Sequence, residues 1–315
     1  MSRTWGITQA VDLAEAQQRM TAMMSIPLPS VPNVKLLKPV QVRAQIVHVR
    51  AAGAYRELAL HAPGVGVDAR PGQFVTLGVG GESSALLLRR AFALSGVDGN
   101  VVSVVVAAHG PGTRWILERG AGDVMDLIGP LGRPFPEPPP GGAALLVAGG
   151  YGAAPFVGLA QRLNAAGHAV AAVLGAATAD RLYAVHDLAP LTQVVSVTTE
   201  DGSAGRTGRV TDVLPELLPG ASAVYACGPM PMLRAVAAQA AACGLPYHVS
   251  VEEAMACGIG VCMTCVLPVI GDDGTSAFVR SCVDGPVFDA AKVRFDDIGR
   301  LPGDLHGAGA MRANT

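Results

Sequence analysis

The sequence predicts an α+β multidomain chain: a small antiparallel β-barrel, then a doubly wound parallel α/β sheet, then a small cysteine-bearing subdomain. Three observations carry this. Residues 40–136 read as short strands broken by turn residues, and residues 141–244 alternate apolar strands with helical stretches. Four of the six cysteines then fall between Cys257 and Cys282. The implied divisions are 1–39 (N-terminal extension), 40–138 (barrel), 139–246 (α/β domain), 247–295 (cysteine segment) and 296–315 (C-terminal tail).

At 315 residues the chain is long enough for two domains and an appendage, each with its own core. Half the residues are apolar and only 4% aromatic, so the core must be built mainly from Val, Leu and Ala. A net charge of -2 with no basic run gives no footprint for a nucleic-acid partner. The start, MSRTWGITQAVDLAEAQQ, shows no charged-then-apolar leader, which makes the cytoplasm the expected compartment. The stretch from Asp12, DLAEAQQRMTAMM, has helical character and is broken by PLPSVP from Pro27.

In the β region, VQVRAQIVHV and YRELALHA read as paired strands, and ARPGQFVTLGV as a turn feeding a third. RRAFALSGVDGNVVSVVVAA reads as two strands around Asp98–Gly99–Asn100, the strongest hairpin signal in the chain. GPGTRWILERG is a loop entering a short helix. Short strands at this spacing suggest a barrel.

The proline-rich PFPEPPPGG, residues 134–142, marks the change of texture. AALLVAGG then reads as a buried strand and APFVGLAQRLNAAG as a helix ended by Gly167. HAVAAVLGAA, TQVVSVTTE and SAVYACG are further strands, the last followed by the helix PMLRAVAAQAAACG. Strands alternating with helices mean a parallel sheet. Gly141 to Gln161 carries no charge, but Gly149, Gly150, Gly152 and Pro155 suit a strand, loop and helix start better than a membrane span.

Cys257, Cys262, Cys265 and Cys282 are spaced C-x4-C-x2-C-x16-C. That is the plant-type [2Fe–2S] pattern, in which one loop wraps the cluster and a separate strand closes the fourth position. Gly258 and Gly260 permit the backbone to approach closely. Structural zinc is the alternative, although it usually takes two C-x2-C pairs and only one fits; a metal-free loop is the other. Cys227 and Cys243 lie outside the set, and Cys243, at a helix end, is expected to be a buried small apolar residue.

Two further places suit nucleotides. Gly149, Gly150 and Gly152 follow a strand and open a helix, where backbone N–H groups can receive a pyrophosphate. Cys227, Gly228 and Pro229 end another strand of the same sheet, where a thiol can stand beside a nicotinamide ring. In the barrel, RAFALS from Arg90 offers a guanidinium for a phosphate and a surface for a flat ring, and GPGT from Gly110 opens a helix. Each of these has an ordinary structural explanation when taken alone.

Together with PGQFV (71–75), GPLG (129–132), TEDGS (199–203), EEAMACG (252–258) and CVDGPVF (282–288), the chain from Val40 to Phe295 resembles the ferredoxin-NADP reductase superfamily. Within it, the chain resembles the iron–sulfur/FAD electron-transfer subunits of class B dihydroorotate dehydrogenases. The resemblance implies that FAD lies along Arg90, Ala91, Phe92 and Ala93, with Val105, Val106 and Ala107 near its adenine half. It implies Gly112 and Thr113 at the pyrophosphate, and NAD(H) at Gly149, Gly150, Gly152, Cys227, Gly228 and Pro229. Cys227 becomes a candidate catalytic residue beside the nicotinamide, and Cys257, Cys262, Cys265 and Cys282 the [2Fe–2S] ligands. The family usually has Ser or Thr where Ala93 stands, and here Ser95 follows two positions later.

The implied role is electron transfer between NAD(H), FAD and the cluster, to or from an FMN-containing catalytic dihydroorotate dehydrogenase subunit, in a heterotetramer of two of each. NAD is favoured over NADP because GAATAD carries no arginine cluster, only Arg181 beyond it. The alternatives are a reductase subunit serving a hydrogenase, ferredoxin or oxygenase, and a non-catalytic zinc or redox-sensing module.

Overall fold

A computed structural model describes residues 39–81 and 84–305. The helical reading from Asp12 and nearly all of the N-terminal extension lie outside them.

Six strands close into an antiparallel barrel: β1 (Val40–Ala52), β2 (Tyr55–His61), β3 (Phe74–Leu77), β4 (Arg90–Asp98), β5 (Val101–Val106) and β6 (Val124–Leu131), in the order β1-β2-β5-β4-β3-β6. Alternation fills it: Leu58 and Leu60 of β2 and Val102 and Val104 of β5 point inward with Ile46, Leu77 and Leu127. Asp98 pairs with Val101, so β4 and β5 turn on Gly99 and Asn100, and Gly99 takes the positive φ that this tight connection needs. One short helix, α1 (Pro111–Leu117), follows β5 and plugs the barrel with Ile116.

The second layer is a seven-stranded sheet in the order β10-β9-β8-β7-β11-β12-β15. Its strands are β7 (Ala143–Gly149), β8 (Ala169–Ala176), β9 (Val194–Thr199), β10 (Arg206–Thr207), β11 (Ala223–Cys227), β12 (Tyr247–Ser250) and β15 (Val287–Asp289). All pairs are parallel except β12 with β15. The helices α2 (Phe156–Ala165), α3 (Val185–Leu188), α4 (Leu214–Leu217) and α5 (Met230–Ala242) connect them, so a core forms on each face. Covered faces explain why β7 and β11 read as unbroken apolar runs. Gly167 ends α2 with positive φ, and the N–H groups of Gly167 and His168 close back on Asn164 and Leu163. The uncharged run from Gly141 resolves into β7, a single 3-10 turn and α2, and no described helix is long and apolar enough to cross a membrane.

Two findings depart from the sequence reading. Cys243 is exposed, because it caps the solvent end of α5 after the buried row Leu233, Val236, Ala237 and Ala240 has passed. Tyr247–Ser250 and Val287–Asp289, both inside the expected cysteine segment, are strands of the nucleotide sheet. Only the hairpin of β13 (Val266–Ile270) and β14 (Ser276–Arg280) and the loops beside it stand apart from that sheet.

The proline-rich connection is anchored rather than loose. Phe135 is buried against Phe156 and Tyr225, and its N–H donates to Pro71 O. The barrel also meets the sheet at Gly53, where an added Cβ would lie 2.0 Å from Asp180 O.

Candidate functional site

The four clustered cysteines form two contacting pairs. Cys257 Sγ accepts the N–H groups of Ile259 at 3.5 Å and Val261 at 3.3 Å, and it also contacts Cys262. The hydroxyl and N–H of Thr264 hold the Cys262 thiol down to about 6. On the other side, the Cys282 N–H donates to Cys265 Sγ at 3.4 Å. Both of these residues are buried, and burial followed by the neighbouring Cys265 pushes the Cys282 thiol up to about 12. Among the described residues, no three His, Cys, Asp or Glu side chains gather as they would around a single ion.

That arrangement fits a two-iron cluster, which spreads four thiolates over two metal ions. The loop follows from its glycines. Gly258 holds φ +72°, and a Cβ there would sit 2.7 Å from Thr76 Cγ2; Gly260 holds φ +83° against Val283. The loop therefore lies directly on the barrel wall.

A cleft opens between barrel and sheet beside this loop. Ala91, Phe92, Ala93 and Val105 line it from the barrel, and Gly152, Cys227 and Ser250 from the sheet. Val106 turns the other way into the barrel core, and Ala107 packs on the core beneath the sheet. Arg90 reaches along the barrel rim to Gly112, where an added Cβ would lie 2.6 Å from its Nε. A side chain at Gly112 would meet the guanidinium and make it shift. The Thr113 hydroxyl is committed to the turn itself, accepting the N–H groups of His109 and Gly110 at 2.9 and 3.0 Å. A largely apolar cleft with a cation on the neighbouring barrel rim suits a flavin dinucleotide.

At the carboxyl ends of the sheet strands lies a larger cavity of about 650 Å³. Gly149, Gly150, Gly228 and Pro229 line it together with Thr198, Glu200 and Arg209. Its volume and its place at the strand ends suit a nucleotide. The Thr198 hydroxyl is buried without a hydrogen-bond partner, a free polar atom in the cavity wall. The residues proposed for NAD(H) are thus divided: Gly152 and Cys227 face the cleft, Gly149, Gly150 and Pro229 face the cavity, and Gly228 faces both. Burial, partly offset by a hydrogen bond with Ser250, pushes the Cys227 thiol up to about 12. It is therefore a neutral S–H at physiological pH.

Sequence reasoning passed over several lining residues. Tyr151 sits inside the glycine loop, and its bulk between two glycines was the available signal. Glu252 and Met255 lie within the EEAMACG run. Ser250 and His109 gave no signal, because only tertiary folding brings them to the cleft and the cavity. Phe74, Ala91 and Met255 line the cleft and also pack in the apolar group that contains Cys265 and Cys282. Cleft and cysteine pair share one wall.

Comparison with known proteins finds relatives of both the cysteine segment and the nucleotide sheet. Residues 252–294 match the iron–sulfur cluster binding domain of dihydroorotate dehydrogenase B, and residues 146–238 an oxidoreductase NAD-binding domain. The dihydroorotate dehydrogenase B (NAD(+)) electron transfer subunit of Geobacillus thermodenitrificans is 39% identical over 242 residues, covering 75% of this chain and 91% of that one. The corresponding subunit of Bacillus caldolyticus is 39% identical over 228 residues, covering 71% and 86%. Among solved structures, a chain of an NADH-dependent reduced ferredoxin-NADP oxidoreductase superposes with a TM-score of 0.72 at 30% identity, over 87% of this chain and 97% of that one. Amycolatopsis cytochrome P450 reductase superposes with a TM-score of 0.55 at 27% identity, over 65% and 66%.

Proposed function

This chain belongs to the family of dihydroorotate dehydrogenase B electron transfer subunits, and on that premise we propose that it relays electrons between NAD(H) and a separate catalytic subunit acting on dihydroorotate, using FAD and a [2Fe–2S] cluster. The observation that carries the reading is the shared wall of Phe74, Ala91 and Met255 between cleft and cysteines. When bound, FAD takes two electrons as a hydride and gives them up singly, and the cluster takes one at a time, as a relay between a nicotinamide and a second flavoprotein requires.

The chain's own residues supply position and shielding. Arg90 and the Gly112 backbone hold the pyrophosphate of FAD. Ala91 to Ala93 and Val105 flank its ring, and Cys227, as a neutral thiol, packs where the nicotinamide must arrive. Thr198 Oγ1 and the Gly149–Gly150 backbone hold the dinucleotide in the larger cavity. The four cysteines ligate the cluster, with the N–H groups of Ile259 and Val261 directed at Cys257 Sγ. The relatives that are 39% identical are named as NAD(+) proteins, which supports NAD as the dinucleotide. All six cysteines are free, as suits the reducing cytoplasm in which we place the chain.

Ile259, Val261 and Met263, exposed at 48%, 75% and 53%, flank the cysteine pairs with apolar surface. That surface supports docking of the catalytic subunit against the cluster loop, in an assembly of two copies of each subunit. Val261→Asp should leave NADH-dependent reduction of a small soluble dye unchanged while cutting dihydroorotate-linked turnover about tenfold, the cost of one interface anchor.

The likeness to the ferredoxin-NADP oxidoreductase chain favours one other reading, a reductase serving a ferredoxin. The test is reconstitution. Anaerobically prepared chain should carry FAD, iron and acid-labile sulfide, and NADH should bleach it. Adding a catalytic dihydroorotate dehydrogenase subunit should then couple NADH to dihydroorotate. Protein lacking flavin and sulfide overturns the reading; loaded protein that reduces ferredoxin but not the dihydroorotate subunit favours the second.

A further inference from the structure

The hairpin of β13 and β14 carries a ladder in which Val266 pairs with Arg280. One step further along, the Ser281 N–H donates to Cys265 O at 2.8 Å, so Ser281 stands directly opposite Cys265. Opposed residues of an antiparallel pair turn their side chains to the same face. Here that face is the buried one, because it continues the row of Leu267 and Val279, which pack in the core of the sheet domain. Cys265 Sγ in turn accepts the Cys282 N–H at 3.4 Å, which brings it onto the peptide joining Ser281 to Cys282. Ser281 is 0% exposed, and its hydroxyl has no hydrogen-bond partner among the described residues. A buried hydroxyl is seldom left so, because burial has cost it the water it would otherwise bond.

The local turn does not use that hydroxyl. Residues 280–284 are closed by the Val283 and Asp284 N–H groups on Arg280 O, and by the Arg280 N–H on the Asp284 carboxylate. The side chains packed with Cys265 and Cys282 are apolar, Phe74, Leu131, Met255 and Val283 among them, and none offers an oxygen or nitrogen. Sulfur is the acceptor this environment provides. We propose that the Ser281 hydroxyl donates a hydrogen bond to a sulfur of the cluster at its buried Cys265–Cys282 end, and so sets the cluster's reduction potential. The proposal rests on the reading that the four cysteines hold a [2Fe–2S] cluster. An added electron makes the cluster more negative, and a hydroxyl donor stabilises the reduced form more than the oxidised one. Ser281 therefore raises the potential and favours passage of an electron from flavin to cluster. The Cys257 end receives the N–H groups of Ile259 and Val261, and the hydroxyl adds a side-chain donor at the opposite end.

The test is a redox titration of the anaerobically prepared, fully loaded chain, read by the paramagnetic resonance signal of the reduced cluster. Ser281→Ala should keep its iron and acid-labile sulfide and make one-electron reduction about tenfold less favourable, a fall of about 59 mV. Ser281→Thr, which keeps the hydroxyl, should stay near the wild type. Ser281→Val, matched to it in shape, should fall with the alanine variant. The flavin midpoint should stay in place throughout, since the hydroxyl is aimed at the cluster alone. A loaded Ser281→Ala whose cluster potential equals that of the wild type overturns the proposal while the cluster reading stands. Equal potentials in the threonine and valine variants do the same. So does a folded Ser281→Ala that loses most of its iron, because the hydroxyl would then hold the loop rather than stabilise charge. Wild-type chain carrying neither iron nor acid-labile sulfide overturns the cluster reading, and the proposal falls with it.

Discussion

Cys227 ends β11 with its thiol buried at the cleft, paired in register with Ser250 of β12. Burial raises this thiol from 9.0 to about 12, so it stays protonated where an unfolded cysteine ionises. The unfolded chain then releases its proton first. The stabilisation is complete below about pH 9 and declines as pH rises toward 12. Cys227→Ala should remove that dependence: between pH 8 and 10 the wild type should lose about 1 kcal/mol more stability than the variant. Urea unfolding at the two pH values measures the difference, and parallel losses would count against a buried neutral thiol. The four clustered cysteines were legible from spacing alone, whereas the pairing of Cys227 with Ser250 was not, because 23 positions separate them and only strand register joins them.

At the scale of elements, the cysteine loop and the glycine loop after β7 depend on backbone that only glycine tolerates. Gly258 combines φ +72° with a gap too small for Cβ against Thr76. Gly258→Ala should strain the loop and push it off the barrel wall, lowering iron and acid-labile sulfide per chain to under about half while the fold survives. Metal analysis beside circular dichroism reads both quantities; a variant with full iron would mean the loop has slack. Gly152 meets the same limit, since an added Cβ would lie 2.3 Å from Cys227 O. The sequence displayed these glycines but not their reasons, since each obstructing atom comes from a distant strand.

For the whole molecule, the cleft exists because barrel and sheet are held at a fixed separation. Phe135 pins the connection between them, buried at 6% exposure beside Phe156 and Tyr225. Phe135→Ala should cost about 3 kcal/mol, the usual loss for an aromatic removed from a core. It should lower the thermal midpoint by several degrees and slow NADH-dependent bleaching together, as the cleft loses its rigid frame. A lower midpoint with unchanged bleaching would show that the frame does not depend on this contact. The late strand β15 contributes as well, returning from the cysteine segment to pair with β12 and tie that segment to the nucleotide sheet.

Periodicity and spacing in the sequence determined the barrel, the alternating sheet and the cysteine quartet, because strand alternation, helix caps and ligand intervals are local properties of a chain. Tertiary structure alone decided that the quartet falls into two pairs on the barrel wall and that Tyr151 meets Glu252 where cleft and cavity adjoin. Those relations join residues tens or hundreds of positions apart. They depend on how twisted strands align in register and on which atoms are left facing each other, which no local pattern encodes.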